Sequence, residues 1–103
     1  MARGFETKCL HLEEEEGDCS HFGALSYPIY QTATYAHPGV GQSTGFDYSR
    51  LQNPTREHLE KIVASLENGI DAFAFTTGMA AITMLMELFA PGDHLIVDED
   101  LYG

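Results

Sequence analysis

The chain has 103 residues, of which 44% are hydrophobic and 20% are charged, a balance typical of one small globular domain. Its formal net charge of -11 argues against a nucleic-acid partner, because phosphate backbones are bound by clustered Lys and Arg. No apolar stretch approaches the roughly 20 residues that a membrane-spanning helix needs, and the N-terminus lacks the apolar core of a secretory signal. We therefore expect a cytoplasmic protein with neither a membrane nor a nucleic-acid partner.

The cysteines, Cys9 and Cys19, are too few for a disulfide framework, and without a secretory signal we expect free thiols. Each begins a Cys-x-His triplet, ending at His11 and His21, which could supply thiolate and imidazole ligands to zinc. The spacing matches no established zinc signature, and an acidic run at 13–16, typical of a solvated surface, lies between the triplets. We therefore predict no metal site.

The first half of the chain shows little apolar periodicity. Residues 1–18 fit an arm or a short surface helix, and residues 20–45 indicate an extended loop because Gly and Pro recur through them. Loops of that length usually have a function or contact another part of an assembly. Aromatic residues in and beside this loop suit a subunit interface and plain packing about equally well; they are Tyr27, Tyr30, Tyr35, Phe46 and Tyr48.

The strongest helix signal begins at Asn53. This residue can cap the free backbone amides, and Pro54 fits the first helical turn. Glu57 and Lys61 lie one turn apart, and Asn68-Gly69 supplies a stop. Four apolar residues recur at helical spacing between these ends: Leu59, Ile62, Val63 and Leu66.

The second half of the chain predicts a strand, a helix and a second strand. Residues 71–75 fit a short buried strand, and residues 80–90 are apolar nearly all round, as in a covered helix. Residues 91–93 then indicate a turn, and residues 94–98 fit a second strand. The turn Thr77-Gly78-Met79 should present backbone N–H groups without a helix partner, which suits an anion such as phosphate. A small residue in such a turn also serves packing alone.

Strand, helix and strand at this spacing form a right-handed parallel unit, whose ligands lie beyond the carboxyl ends of the strands. We therefore expect residues 77–79 and 98–102 to meet at one crevice. A parallel sheet needs more strands and cover on both faces, which this length does not supply. The chain is expected to be the front end of a larger protein, or to fold only against a partner.

Tyr48-Ser49-Arg50 places a phenol and a guanidinium on the same side of an extended backbone, and the two side chains would be paired donors to a phosphate. An arginine in a Gly-rich loop of an acidic protein more often forms a surface ion pair. Tyr102, after the second strand, would stack on a flat ring or merely pack. None of these features is decisive separately.

Six short motifs occur in order along the chain: Pro28-Ile29-Tyr30-Gln31-Thr32, Tyr48-Ser49-Arg50, Asn53-Pro54-Thr55, Thr77-Gly78-Met79-Ala80-Ala81, Pro91-Gly92-Asp93-His94 and Asp100-Leu101-Tyr102-Gly103. Together they resemble the N-terminal part of the Cys/Met-metabolism family of pyridoxal-phosphate (PLP) enzymes. That family includes cystathionine gamma-synthases, cystathionine gamma- and beta-lyases, methionine gamma-lyases and O-acylhomoserine sulfhydrylases. The resemblance covers nearly the whole chain but does not select one reaction.

The resemblance implies an α/β protein, the start of the PLP-transferase fold (aminotransferase-like, type I). In that fold the chain would form an N-terminal arm and the first strand-helix-strand unit of a mainly parallel sheet. Residues 1–52 would be the arm and an extended intersubunit loop, and residues 53–103 the beginning of the large PLP-binding domain. A homodimer or a dimer of dimers, that is a homotetramer, is implied.

The resemblance also implies the cofactor, pyridoxal 5'-phosphate, and a role for each candidate residue. Tyr48 and Arg50 would reach into the neighbouring subunit's site and hold the cofactor phosphate. The backbone amides of Gly78 and Met79 would bind the same phosphate from their own subunit. Tyr102 would lie over the pyridine ring and act as the catalytic proton carrier toward the leaving group.

The chemistry implied is trans-sulfuration: elimination or replacement at the β or γ carbon of cysteine, cystathionine or homoserine-derived substrates. It requires a Schiff-base lysine, and neither Lys8 nor Lys61 occupies the family's position, which lies far downstream of Tyr102. We therefore expect the N-terminal fragment of a PLP-dependent carbon–sulfur lyase or transferase, inactive alone. The alternative is a noncatalytic truncated protein that only binds phosphate or pairs with an intact homologue.

Overall fold

The computed structural model describes residues 4–12 and 21–102. Three helices lie in these ranges: α1 (Phe5–Lys8), α2 (Pro54–Glu67) and α3 (Gly78–Met86). No β-strand is assigned among the described residues, where the one strand-type pairing is an isolated antiparallel bridge between Thr34 and Tyr48. In those same ranges no helix combines the length and the apolarity needed to cross a lipid bilayer.

Helix α2 begins and ends where the sequence predicts. The Asn53 side chain accepts a hydrogen bond from the Thr55 amide at 2.9 Å, and Pro54 occupies the first turn. Asn68 ends the helix in the left-handed conformation with φ of 54°. The predicted Glu57–Lys61 pair is present, with the ammonium nitrogen 2.6 Å from the carboxylate. The capped helix is therefore confirmed.

The described part of the N-terminal arm contains only the single turn α1, in which no residue is buried. The loop from residue 21 to residue 52 contains neither a helix nor a strand, as predicted for residues 20–45. Aromatic residues of this loop pack within the chain. The Tyr27 ring stacks on His58 of α2 with centroids 3.9 Å apart and planes 9° apart, and Tyr35 packs against Phe46.

The two predicted strands are not confirmed. Residues 71–75 and 94–98 form no strand in the structure, so the strand-helix-strand unit is not established. Their apolar side chains are exposed, Phe73 to 73% and Ile96 to 97%. A parallel strand is stabilised by backbone hydrogen bonds to its neighbours, and the described residues offer neither segment such a partner.

Helix α3 begins at Gly78, behind the cap residue Thr77 and two residues before the predicted start at residue 80, and it ends at Met86, before the predicted end at residue 90. Beyond Met86 the backbone tightens into turns of the i to i+3 type, such as the Leu88 amide bonded to the Leu85 carbonyl at 3.2 Å. Pro91 also disfavours helical backbone at the residue before it. These two effects shorten the helix.

The predicted turn at 91–93 is confirmed. The Asp93 amide donates to the Ala90 carbonyl at 3.0 Å, and Gly92 has a φ of 103°, where glycine is favoured. The Asp93 carboxylate accepts from the Ala90 amide at 2.8 Å. The turn is therefore closed by a backbone bond and a side-chain bond.

The described residues do not enclose a core. The accessible surface is 8911 Å², whereas a compact protein of this mass exposes about 5,800 Å². The radius of gyration is 17.9 Å, against about 13 Å for a compact chain of this length. Among described residues only Pro54 and Ala64 are buried. Helix α3, predicted to be covered, instead exposes its apolar side chains.

Candidate functional site

Tyr48 and Arg50 contact each other in the structure. An Arg50 guanidinium N–H donates to the Tyr48 hydroxyl at 3.1 Å, and the guanidinium carbon lies 4.9 Å from the centre of the Tyr48 ring. The sequence predicted an extended backbone between them, but the structure shows a turn. The Leu51 and Gln52 amides both donate to the Tyr48 carbonyl, at 3.0 and 2.9 Å. The turn, and not strand alternation, brings the two side chains together.

Backbone and side-chain bonds fix this turn to the preceding loop. Tyr48 forms the bridge to Thr34, and the Ser49 hydroxyl donates to the Thr32 carbonyl. The Asn53 side-chain amide donates to the Ser49 hydroxyl at 2.9 Å and to the Tyr30 carbonyl at 3.1 Å. Asn53, predicted only as a helix cap, therefore also positions the Tyr48–Arg50 turn.

We expect Asn53→Ala to lower the free energy of unfolding by about 1–3 kcal/mol, because it removes a helix cap and leaves the Tyr30 carbonyl without its donor. Denaturant unfolding of the full-length protein measures this change. The neighbouring Gln52 has an exposed side chain, so Gln52→Ala is the matched control and should change stability little. Equal stability of the two variants would contradict the prediction.

The start of α3 presents unbonded backbone amides. The Thr77 hydroxyl accepts from the Ala80 amide at 3.0 Å, and the Thr77 carbonyl accepts from the Ala81 amide at 3.3 Å. In the described part of the chain, the amides of Gly78 and Met79 have no acceptor. Apart from its chain neighbours and its own helix backbone, nothing described lies within 4 Å of the place where a Cβ on Gly78 would be, so the space beside Gly78 is open. Two such N–H groups at a helix N-terminus suit an anion.

The candidate residues do not form one assembled site within the chain. Tyr102 is 83% exposed. Among the described residues, no hydrogen bond, ion pair or ring contact joins Tyr102, the Tyr48–Arg50 pair and the start of α3 to one another. The predicted meeting of residues 77–79 and 98–102 at one crevice is therefore not confirmed.

Two residues that the sequence did not single out, Arg56 and Glu60, connect the Tyr48–Arg50 turn to the segment before α3. The Arg56 guanidinium donates to the Leu51 carbonyl at the end of the Tyr48–Arg50 turn, and its Nε lies 3.7 Å from a Glu60 carboxylate oxygen. The same oxygen accepts from the Ala74 amide at 2.8 Å. The i, i+4 spacing of Arg56 and Glu60 was the available signal, but such spacing ordinarily indicates a surface ion pair.

The Cys-x-His triplets are only partly described, because Cys19 lies outside the described residues. Cys9 is a free, exposed thiol. Within the described ranges, no group of three or more His, Cys, Asp or Glu side chains is placed to share a metal ion. A metal site at the two triplets is not tested by these residues.

Residues 6–103 match the family model described as Cys/Met metabolism PLP-dependent enzyme. The chain belongs to this family. The match extends from the arm through all the candidate residues, which agrees with the resemblance of the short motifs. The family's cofactor is PLP, and the described residues fit its phosphate. The Gly78 and Met79 amides are free, and the Tyr48 contact uses one of the five N–H donors of the Arg50 guanidinium.

Relatives within the Cys/Met-metabolism family have different reactions. The chain is 48% identical over 103 residues to the cystathionine gamma-synthase/O-acetylhomoserine (thiol)-lyase of Bacillus subtilis (strain 168), covering all of this chain and 27% of that protein. It is 51% identical over 81 residues to the cystathionine beta-lyase of Lactococcus lactis subsp. cremoris (strain MG1363), covering 79% of this chain and 21% of that protein. Family membership therefore does not select one reaction.

A solved structure supports the fold. The chain superimposes on the crystal structure of cystathionine gamma synthase from Xanthomonas oryzae pv. oryzae in complex with cystathionine with a TM-score of 0.72 and 29% identity. The superposition covers 84% of this chain and 22% of that one. The fold is thus that of part of a type I PLP enzyme. The chain spans between 21% and 27% of the length of the two relatives above.

Proposed function

We propose that the full-length protein is a PLP-dependent carbon–sulfur lyase or transferase of sulfur amino-acid metabolism, and that this chain is its N-terminal part, inactive alone. It would act by β/γ-elimination or γ-replacement on cysteine, cystathionine or homoserine-derived substrates. The observation that carries the proposal is the family match across residues 6–103, supported by relatives that are cystathionine synthases and lyases. When bound, PLP supplies an electron sink for bond breaking at the amino-acid α-carbon.

In this proposal, Tyr48 and Arg50 bind the cofactor phosphate of a neighbouring subunit, while the Gly78 and Met79 amides bind the phosphate of their own. Arg50 keeps N–H donors that the Tyr48 contact does not use. No direct contact joins this pair to the start of α3 in the described residues, so nothing there ties the two elements to the same phosphate. The assembly would be a homodimer or a dimer of dimers.

Tyr102 is proposed to lie against the cofactor ring and to carry a proton at its phenolic oxygen toward the leaving group. Its exposed ring leaves the face available for that contact. Residues 1–52 would form the arm and intersubunit loop, and residues 53–103 the beginning of the PLP-binding domain. The cytoplasmic location expected from the sequence stays a prediction.

The test is an absorbance spectrum of the 103-residue chain and of the longest product of its gene, each incubated with PLP and then freed of excess. We expect a stable protein-bound PLP band in the longer product only, because bond formation to PLP needs the lysine that neither Lys8 nor Lys61 provides. No band in either protein would contradict the enzyme proposal. It would favour a noncatalytic protein that only binds phosphate or pairs with an intact homologue.

A further inference from the structure

One face of helix α2 lies between the two proposed phosphate-binding elements. Arg56 and Glu60 are one helical turn apart, so their side chains lie on the same face. Arg56 donates to the Leu51 carbonyl at the end of the Tyr48–Arg50 turn. Glu60 accepts from the Ala74 amide, four residues before Gly78. A continuous set of polar contacts therefore connects the turn, through α2, to the segment that leads into α3.

The Glu60 contact holds a segment that has few other constraints. Within the described chain, residues 71–75 form no backbone hydrogen bond to another segment, so Glu60 to Ala74 is the bond that ties this segment to α2. A carboxylate that accepts from a backbone N–H forms a charge-assisted bond, which is stronger than a neutral one. The Glu60 side chain is only 18% exposed, whereas Glu57 on the same helix is 43% exposed.

The Arg56 contacts act on both elements at once. A planar guanidinium presents several donors in a fixed fork, so one N–H can bond the Leu51 carbonyl while Nε faces the Glu60 carboxylate. The first contact closes the turn that carries Tyr48 and Arg50. The second orients the carboxylate toward Ala74.

We propose that Arg56 and Glu60 are positioning residues. Glu60 holds the segment that leads to the phosphate-binding amides of α3, which serve this subunit's site, and Arg56 holds the Tyr48–Arg50 turn, which serves the neighbouring subunit's site. This inference rests on the proposed function, because it assumes that both elements bind cofactor phosphate. Neither residue touches the phosphate. Arg56 acts through the Leu51 carbonyl, and Glu60 acts through the Ala74 amide. Losing either contact should therefore weaken recognition of the phosphate specifically, and not of the pyridine ring.

The test compares the affinity of the full-length protein for PLP with its affinity for pyridoxal, which lacks the phosphate. We expect Glu60→Ala to lower the ratio of the PLP affinity to the pyridoxal affinity by about fivefold or more, because the segment leading to the α3 amides loses its bond to α2. Glu60→Gln keeps an oxygen that accepts from Ala74, so its ratio should stay within about twofold of the wild-type value. A merely structural role would lower thermal stability and leave the ratio unchanged.

Glu57→Ala is the matched control, because it removes a carboxylate from the same helix that, among the described residues, forms an ion pair with Lys61 and no hydrogen bond to residues 71–75. An unchanged ratio in Glu60→Ala, or an equal fall in Glu57→Ala, would overturn the inference. If Glu60→Ala does not fold, Arg56→Lys replaces it. Lysine keeps the positive charge but not the forked donors of the guanidinium. The ratio of PLP affinity to pyridoxal affinity in Arg56→Lys should therefore fall by about two- to threefold. An unchanged ratio would overturn the inference.

Arg50→Ala, measured in parallel, separates this inference from the proposed function. If Arg50→Ala lowers the ratio and Glu60→Ala does not, the phosphate role of Arg50 stands and only the positioning inference fails. If Arg50→Ala leaves the ratio unchanged, the phosphate role assigned to Arg50 is wrong, whatever Glu60→Ala does.

Discussion

In the full-length protein, Arg50→Ala should weaken PLP binding by about tenfold or more while leaving pyridoxal binding nearly unchanged. The guanidinium would form charge-assisted, bidentate hydrogen bonds to the phosphate, and alanine removes all of them. Its contact with Tyr48 fixes the guanidinium beforehand, so little side-chain freedom is lost on binding. Equilibrium titration of the cofactor-free protein with PLP and with pyridoxal measures both affinities.

Two further variants distinguish geometry from charge. Arg50→Lys keeps the charge but loses the bidentate fork, so we expect a loss smaller than that of Arg50→Ala. Lys61→Ala also removes one positive charge from a protein with a net charge of -11, yet Lys61 pairs with Glu57 on α2 and is not among the proposed phosphate ligands. An equal loss of PLP affinity in Lys61→Ala would indicate a general charge effect and contradict the role of Arg50.

Local rules were sufficient for helix α2. Asn53, Pro54 and Asn68 act on the backbone within a few residues of themselves, so the sequence alone defines both ends of the helix. The start of α3 obeys the same kind of rule, through the Thr77 cap, although the apolar pattern placed the helix start at residue 80 and residues 77–79 in a turn. Its end does not, because the tightening near Leu88 depends on how the chain continues into the turn at Pro91.

The strands depend on partners that a local pattern does not contain. Residues 71–75 have the composition of a buried strand, but a strand is defined by its neighbours, and Phe73 lies exposed in the structure. In the candidate site, too, local sequence predicted some contacts and not others. The sequence predicted that Tyr48 and Arg50 act together, but it predicted an extended backbone between them where the structure has a turn. The contact from Glu60 to Ala74 spans 14 residues, and no local spacing indicates it.

The assignment of Tyr48 and Arg50 to a neighbouring subunit's site predicts that two impaired variants restore activity to each other at a PLP concentration too low to load Arg50→Ala. In a hybrid of an Arg50→Ala subunit and a Tyr102→Phe subunit, the site on the first subunit keeps its own Tyr102 and receives an intact Arg50 from the second. The other site has both defects. Random pairing of equal amounts should therefore recover about a quarter of wild-type activity, because half of the dimers are hybrids with one intact site of two.

A hybrid of Arg50→Ala and Tyr48→Ala subunits is the matched control. Tyr48 and Arg50 are contributed together by one subunit, as their 3.1 Å contact indicates, so every site in this hybrid receives a damaged pair and no activity should return. If Arg50 instead served its own subunit, the first hybrid would also stay inactive, because each of its sites would carry one defect. Activity assays after co-refolding of each pair separate these cases, and recovery in the first hybrid alone requires contributions from both subunits.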